Sequence, residues 1–193
     1  MAATSTMLPL GTELPAFKLI DVRSGHVLSS DDFTQSALVV MFICNHCPYV
    51  KLIQQGLVSF GNDYAEKPVD IAGVASNDAS AYPEDGPDEL ARIADQLGYT
   101  FPVLYDESQE VARAFTAACT PDFFVFDSDR RLAYRGQFDG ARPGNGVDVT
   151  GGSLRAAVDA LMAGAAIPAE QRPSMGCSIK WKADGMTIGR GSG

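Results

Sequence analysis

Positive charge is in short supply in this sequence: 15 Lys and Arg stand against 24 Asp and Glu, a formal net charge of −9 over 193 residues. No cluster of Lys or Arg breaks the acidic balance, which argues against a phosphate-neutralising surface and so against nucleic acid as a partner. Long hydrophobic runs are missing too. An apolar stretch such as Ala37–Ile43 falls far short of the roughly 20 residues that a bilayer-spanning helix requires. Residues 1–16 lack the basic start and apolar core of an export signal. A cytoplasmic location without membrane contact is the expectation. Cysteine is sparse as well: Cys44, Cys47, Cys119 and Cys177 are too few and too unevenly placed to form the disulfide framework of a small secreted domain.

What is present is an ordinary globular composition, 46% hydrophobic and 20% charged, enough for one well-buried core. Phe17–Ile20 and His26–Leu28, joined by the turn-rich Asp21-Val-Arg-Ser-Gly25, predict an antiparallel hairpin. Ala37–Ile43 is apolar without alternation, the pattern of a strand buried on both faces. After Pro48, Val50, Ile53, Leu57, Phe60 and Tyr64 recur at spacings of three and four, placing them on one face of a helix. Val69–Ala75 predicts another strand, Leu90 to Leu97 a second helix closed by Gly98, and Val103–Tyr105 a short strand. A short helix over Glu110–Thr116, a hairpin of Asp122–Phe126 with Leu132–Gln137, and a last helix through Leu154 and Leu161 complete the order. An α/β fold follows: a mixed central sheet flanked by helices on both faces, with an N-terminal β-hairpin extension.

Cys44 and Cys47 lie between the buried strand and the first amphipathic helix. A thiol attacks only as thiolate, and a free pKa near 8.5 leaves little of it ionised at neutral pH. Unpaired N–H groups and the positive end of a helix dipole favour the anion at a helix start. Two intervening residues put the sulfurs about one turn apart, within reach of a disulfide. Pro48 suits the first helical turn. His46 adds a positive charge or a donor, so a Cys44 pKa below that of a free thiol is expected. A closed zinc site needs four ligands and the pair supplies two, with no second Cys pair downstream.

The segments Leu8-Pro-Leu-Gly-Thr-Glu-Leu-Pro-Ala-Phe17, Cys44-Asn-His-Cys-Pro48, Thr120-Pro-Asp-Phe-Phe-Val-Phe-Asp127 and Met175-Gly-Cys-Ser-Ile-Lys-Trp-Lys182 resemble the peroxiredoxin-like (alkyl hydroperoxide reductase/thiol-specific antioxidant) branch of the thioredoxin superfamily. The resemblance implies a thioredoxin-like domain over residues 8–165, followed by a C-terminal extension, 166–193, whose closing Gly-Arg-Gly-Ser-Gly is expected to lack order. It implies that Thr120-Pro121 is a cis bond facing the dithiol and the docking edge for substrate main chain. It also implies thiol–disulfide oxidoreductase activity, with possible reduction of peroxide. Cys44 is then the attacking thiol and Cys47 the resolving one, with an external thiol reductant, a disulfide or peroxide substrate, and no cofactor.

The residues depart from true peroxiredoxins, which carry Pro-x-x-x-Thr-x-x-Cys before their reactive thiol and a later Arg. Setting Cys47-Pro48 on that pattern puts Cys44 at the Thr position, Val40 at the Pro position and Thr120 near the Arg position. That alignment leaves open the reverse assignment, Cys47 peroxidatic and Cys44 resolving. A copper or zinc carrier using Cys44, His46 and Cys47 is the alternative outside enzymology. Cys119 and Cys177 are possible additional thiols; packing is the simpler account of Cys119. The carboxylates Asp78, Glu84, Asp85, Asp88 and Glu89 read as a solvated acidic face at a helix start. Arg135, Arg142, Pro143 and Asn145 lie in a surface loop able to shape a partner groove.

Overall fold

A computed structural model describes residues 2–183; the closing Gly-Arg-Gly-Ser-Gly lies outside them. In chain order the elements are β1 (Ala2–Thr4), β2 (Lys18–Asp21), β3 (Val27–Ser29), β4 (Ala37–Phe42), α1 (Pro48–Tyr64), β5 (Val69–Ala75), α2 (Pro87–Leu97), β6 (Val103–Tyr105), α3 (Glu110–Ala114), β7 (Cys119–Thr120), β8 (Asp122–Phe126), β9 (Leu132–Gly136), α4 (Gly152–Met162) and β10 (Met175–Ser178). Every long element expected from periodicity is present. No helix among the described residues is long and apolar enough to cross a membrane.

The main sheet runs β3-β2-β6-β5-β4-β8-β9. Its centre, β4-β5-β6, is parallel, and β2, β8 and β9 join antiparallel, which makes it mixed. The hairpin β2–β3 extends one edge. Every residue of β4 is buried, and the pleat sends alternate side chains into two cores. Val39 and Met41 join Val50, Ile53, Leu57 and Phe60 of α1, Leu90 and Ala94 of α2, and Leu154 and Val158 of α4. On the opposite face Leu38, Val40 and Phe42 meet Val111 and Ala112 of α3 with Phe17, Phe33 and Phe115. Fully burying an aliphatic side chain of this size contributes about 1.5–3 kcal/mol, so β4 anchors both layers.

Sequence periodicity did not foresee a second sheet, β1-β10-β7, antiparallel throughout. In it Cys177 faces Ala2 on one side and Thr120 on the other. Part of the C-terminal extension thus returns to the end of β4, where the cysteine pair lies. Gly176 makes the approach possible: a Cβ there would stand 1.9 Å from the Thr120 carbonyl oxygen.

Candidate active site

The strand β4 delivers Cys44 two residues past its end, and Cys47 is the N-cap of α1 with Pro48 in the first turn. Both are buried, at 2% and 0% exposure, and all four cysteines are free thiols. The Thr120–Pro121 bond is cis, as the resemblance implied. Thr120 stands between the sulfurs: Cys44 Sγ lies 3.2 Å from its hydroxyl oxygen and Cys47 Sγ 3.1 Å from its carbonyl oxygen. The two cysteines pack in one buried cluster, and their titrations act on each other.

Their proton affinities diverge. The Cys44 thiol donates to Cys47, and Cys177 donates as well through its thiol and its backbone N–H; the Val50 N–H in the first turn of α1 adds a further donor. Against the opposing effect of burial, these donors bring the Cys47 pKa down to about 4. The Thr120 carbonyl accepts from Cys47 only while that sulfur is protonated, so it opposes ionisation; several donors outweigh one acceptor. Cys44 moves the other way. Its hydrogen bond to Cys47, its burial and the charge of Asp85 all raise its pKa. The sequence pointed to Cys44 as the acidified thiol; the structure shifts that property to Cys47, because one N–H of α1, one of β10 and the neighbouring thiols converge on it.

His46 is turned onto Asp85, with Nδ1 2.5 Å from Asp85 Oδ2, and its ring stacks on Tyr82 at 4.8 Å. Asp85 is fully buried. It also accepts from the backbone N–H groups of Asn45 (2.7 Å) and His46 (3.3 Å) and from the Asn77 side chain (2.8 Å). One carboxylate therefore fixes the turn between the two cysteines. The idea of a uniformly solvated acidic face fails at this position: Asp85 belongs to the site. Its short helical turn, Pro83–Asp85, folds it inward, and no spacing rule marks it off from Glu84. Asn77, which accepts from the Lys180 N–H at 2.8 Å, also escaped notice.

Cys44, His46 and Asp85 bring ligand atoms within 4.8 Å of one another. That trio differs from the Cys44, His46 and Cys47 set named for a metal carrier. Cys119 is fully buried with Sγ 3.7 Å from the Pro121 carbonyl, and burial raises its pKa. It packs, as expected. Arg142 bonds the carbonyls of Asp139 and Ala141 and the Gln137 side chain, and it lines a small cleft with Pro121 and Met175. Arg135 is held by the Leu8 carbonyl and Gln171.

A strand-to-helix junction holding two thiols against a cis proline, on a mixed sheet flanked by helices, defines a thioredoxin-like protein. Residues 10–135 match the AhpC/TSA family, and the chain belongs to it, within the peroxiredoxin-like branch of the thioredoxin superfamily. It is similar to an uncharacterized conserved protein from Geobacillus kaustophilus, with 54% identity over 94% of this chain and 97% of that one, TM-score 0.93. A hypothetical protein from Sinorhizobium meliloti 1021 shares 49% identity over 93% of this chain and 98% of that one, TM-score 0.91. The thioredoxin domain of a thiol-disulfide oxidoreductase from Bacteroides vulgatus shares the fold at 16% identity, covering 77% of this chain and 97% of its own, TM-score 0.60. No protein with a curated description matches.

Proposed function

We propose that the protein is a thiol–disulfide oxidoreductase in which Cys47 is the resident thiolate and Cys44 its proton-bearing partner. The observation that carries this reading is the contact of both sulfurs with one residue, Thr120. Two thiols so placed need little movement to close a disulfide, and one of them is stabilised as the nucleophile at neutral pH.

With a disulfide substrate, Cys47 attacks one sulfur, the substrate S–S bond breaks, and the departing thiolate takes up a proton. Cys44, giving up its proton, then attacks Cys47. The second substrate thiol leaves and a Cys44–Cys47 disulfide remains. With a peroxide, Cys47 takes the distal oxygen, an alcohol or water departs, and Cys44 condenses with the resulting sulfenic acid, releasing water. Two external thiol groups return the two electrons and leave joined as a disulfide. Asp85 and Thr120 are positioning residues, the first for the turn between the cysteines and the second for both sulfurs. This reading favours the assignment in which Cys47 attacks and Cys44 resolves.

The test is a redox titration of the wild type, Cys44→Ser and Cys47→Ser, with insulin disulfide and hydrogen peroxide as rival substrates. The expected result is one two-electron step in the wild type that maps to Cys44–Cys47. Single-turnover oxidation should survive in Cys44→Ser and be lost in Cys47→Ser; its survival in Cys47→Ser would reject the assignment.

A second reading rests on the trio Cys44, His46 and Asp85, whose sulfur, nitrogen and oxygen donors suit zinc with one position left open. Stoichiometric zinc in freshly purified protein, lost in Asp85→Asn, would favour it; metal-free protein with full redox activity would reject it.

A further inference from the structure

The edge that the resemblance reserved for substrate main chain is already taken. Strand β10 lies antiparallel to β7 with Cys177 opposite Thr120, the residue that touches both buried sulfurs, and Cys177 packs against the cluster that holds Cys44 and Cys47; its thiol and N–H are among the donors that lower the Cys47 pKa. A peptide substrate of a dithiol would be held in this way, its main chain paired beside the site and its cysteine against the nucleophile.

The segment is built to stay there. Gly176 is the only kind of residue that fits against Thr120, since a Cβ would meet the carbonyl oxygen at 1.9 Å. Beyond the strand, the Ile179 N–H bonds to the Ala118 carbonyl at 3.1 Å. The Lys180 N–H bonds to Asn77, and its carbonyl accepts from Gln109 at 2.8 Å. On the far side β1 pairs with β10. Among the three sulfurs gathered here, Cys44 and Cys47 are buried and Cys177 is half-buried.

We propose that Cys177 is a third redox thiol, a substrate cysteine built into the chain, which carries the disulfide from the sealed Cys44–Cys47 pair to the surface as a Cys47–Cys177 bond. The proposal rests on the dithiol function above and adds the route by which electrons reach it. Cys177 attacks the Cys47 sulfur of the Cys44–Cys47 disulfide; the new bond forms as the old one breaks, and the proton lost by Cys177 ends on Cys44. No net oxidation occurs in this exchange. An external thiol next attacks the Cys177 sulfur and frees Cys47. A second external thiol attacks the mixed disulfide, Cys177 leaves, and the external disulfide departs. Two external thiols thus supply two electrons, and their protons end on Cys47 and Cys177. Burial, and the bond to Cys47, push the Cys177 pKa up to about 11, which keeps it a thiol and a donor until the exchange begins.

The experiment is peptide mapping after one equivalent of hydrogen peroxide, with acid quench and alkylation. The wild type and Gly176→Val should both form the Cys44–Cys47 bond, and Cys44→Ser should form Cys47–Cys177. Adding Gly176→Val to Cys44→Ser should cut that bond at least about tenfold, because losing the held geometry removes the effective concentration it provides. The near-isosteric Cys177→Ser should still close Cys44–Cys47, yet its disulfide should be reduced by glutathione about tenfold more slowly than that of the wild type. A wild type that closes Cys44–Cys47 while Cys44→Ser never closes Cys47–Cys177 would overturn the third thiol and leave the dithiol intact. Absence of the Cys44–Cys47 bond in the wild type would overturn both.

Discussion

Cys44 and Cys47 are three positions apart, touch the same threonine, and have their acidities pushed in opposite directions. The Cys44 side is a polar network around a buried carboxylate, in which Asp85 gathers N–H groups from Asn45, His46 and Asn77. The Cys47 side is a meeting of donors: the N–H groups of Val50 and Cys177 and the two neighbouring thiols. A negative charge beside one sulfur and hydrogen-bond donors around the other separate their acidities more than burial alone would, since burial raises both. Position relative to a helix start is therefore an incomplete guide to which thiol of a pair is the more acidic.

The contrast can be broken most severely at Asp85. Asp85→Ala leaves its buried donors without an acceptor and should cost about 3–5 kcal/mol in urea unfolding. The milder Asp85→Asn should instead lower the Cys44 pKa by removing the adjacent charge, visible as a shift of thiolate absorbance toward lower pH.

Next in size is Asp122, which underlies the small sheet. It accepts from the Ser5 hydroxyl at 2.7 Å, and its Oδ2 has no hydrogen-bond partner among the described residues. Burial raises its pKa to about 7. A raised carboxyl group favours the folded state fully below its unfolded pKa, near 3.9, and that contribution is lost as pH rises through about 7. Asp122→Asn should therefore stabilise the reduced protein by about 2 kcal/mol at pH 8 and by much less at pH 5, measured as melting temperatures.

The acidity difference itself can be read at pH 6. Alkylation by iodoacetamide should be at least about tenfold slower in Cys47→Ser than in Cys44→Ser, the gain in thiolate fraction being partly offset by the weaker nucleophilicity of an acidic thiol. Because the Cys47 pKa is lowered to about 4, its rate should be nearly flat from pH 6 to 8. A rate rising tenfold per pH unit across that range would return the ordinary thiol values to both residues. The smallest effect is expected at Tyr82, stacked on His46: Tyr82→Leu should cost about 1 kcal/mol and leave the Cys47 profile unchanged.

Much of the fold was legible because burial imposes simple periods. The unbroken apolar run of β4 and the spacing of Val50, Ile53, Leu57 and Phe60 leave few ways to bury those side chains. The cysteine pair, the helix start at Pro48 and the Thr120–Pro121 edge were legible from local chemistry and resemblance. The partition of acidity was not. It depends on Asp85 and Cys177, which reach the site from 41 residues after Cys44 and 130 residues after Cys47, with no local pattern that places them there. Met175–Ser178 carried a family resemblance but no strand signal, for a related reason: a four-residue strand containing Gly176 has too few side chains to show alternation.

Gly176 and the strand around it also set an order of events during synthesis. Ribosomes add about 5–20 residues per second and N-terminal parts emerge first. After α1 has emerged, roughly ten seconds therefore pass before residue 178 follows. Over that interval the sulfur pair has no strand above it, so in a nascent chain Cys44 and Cys47 lack the cover that β10 later gives them.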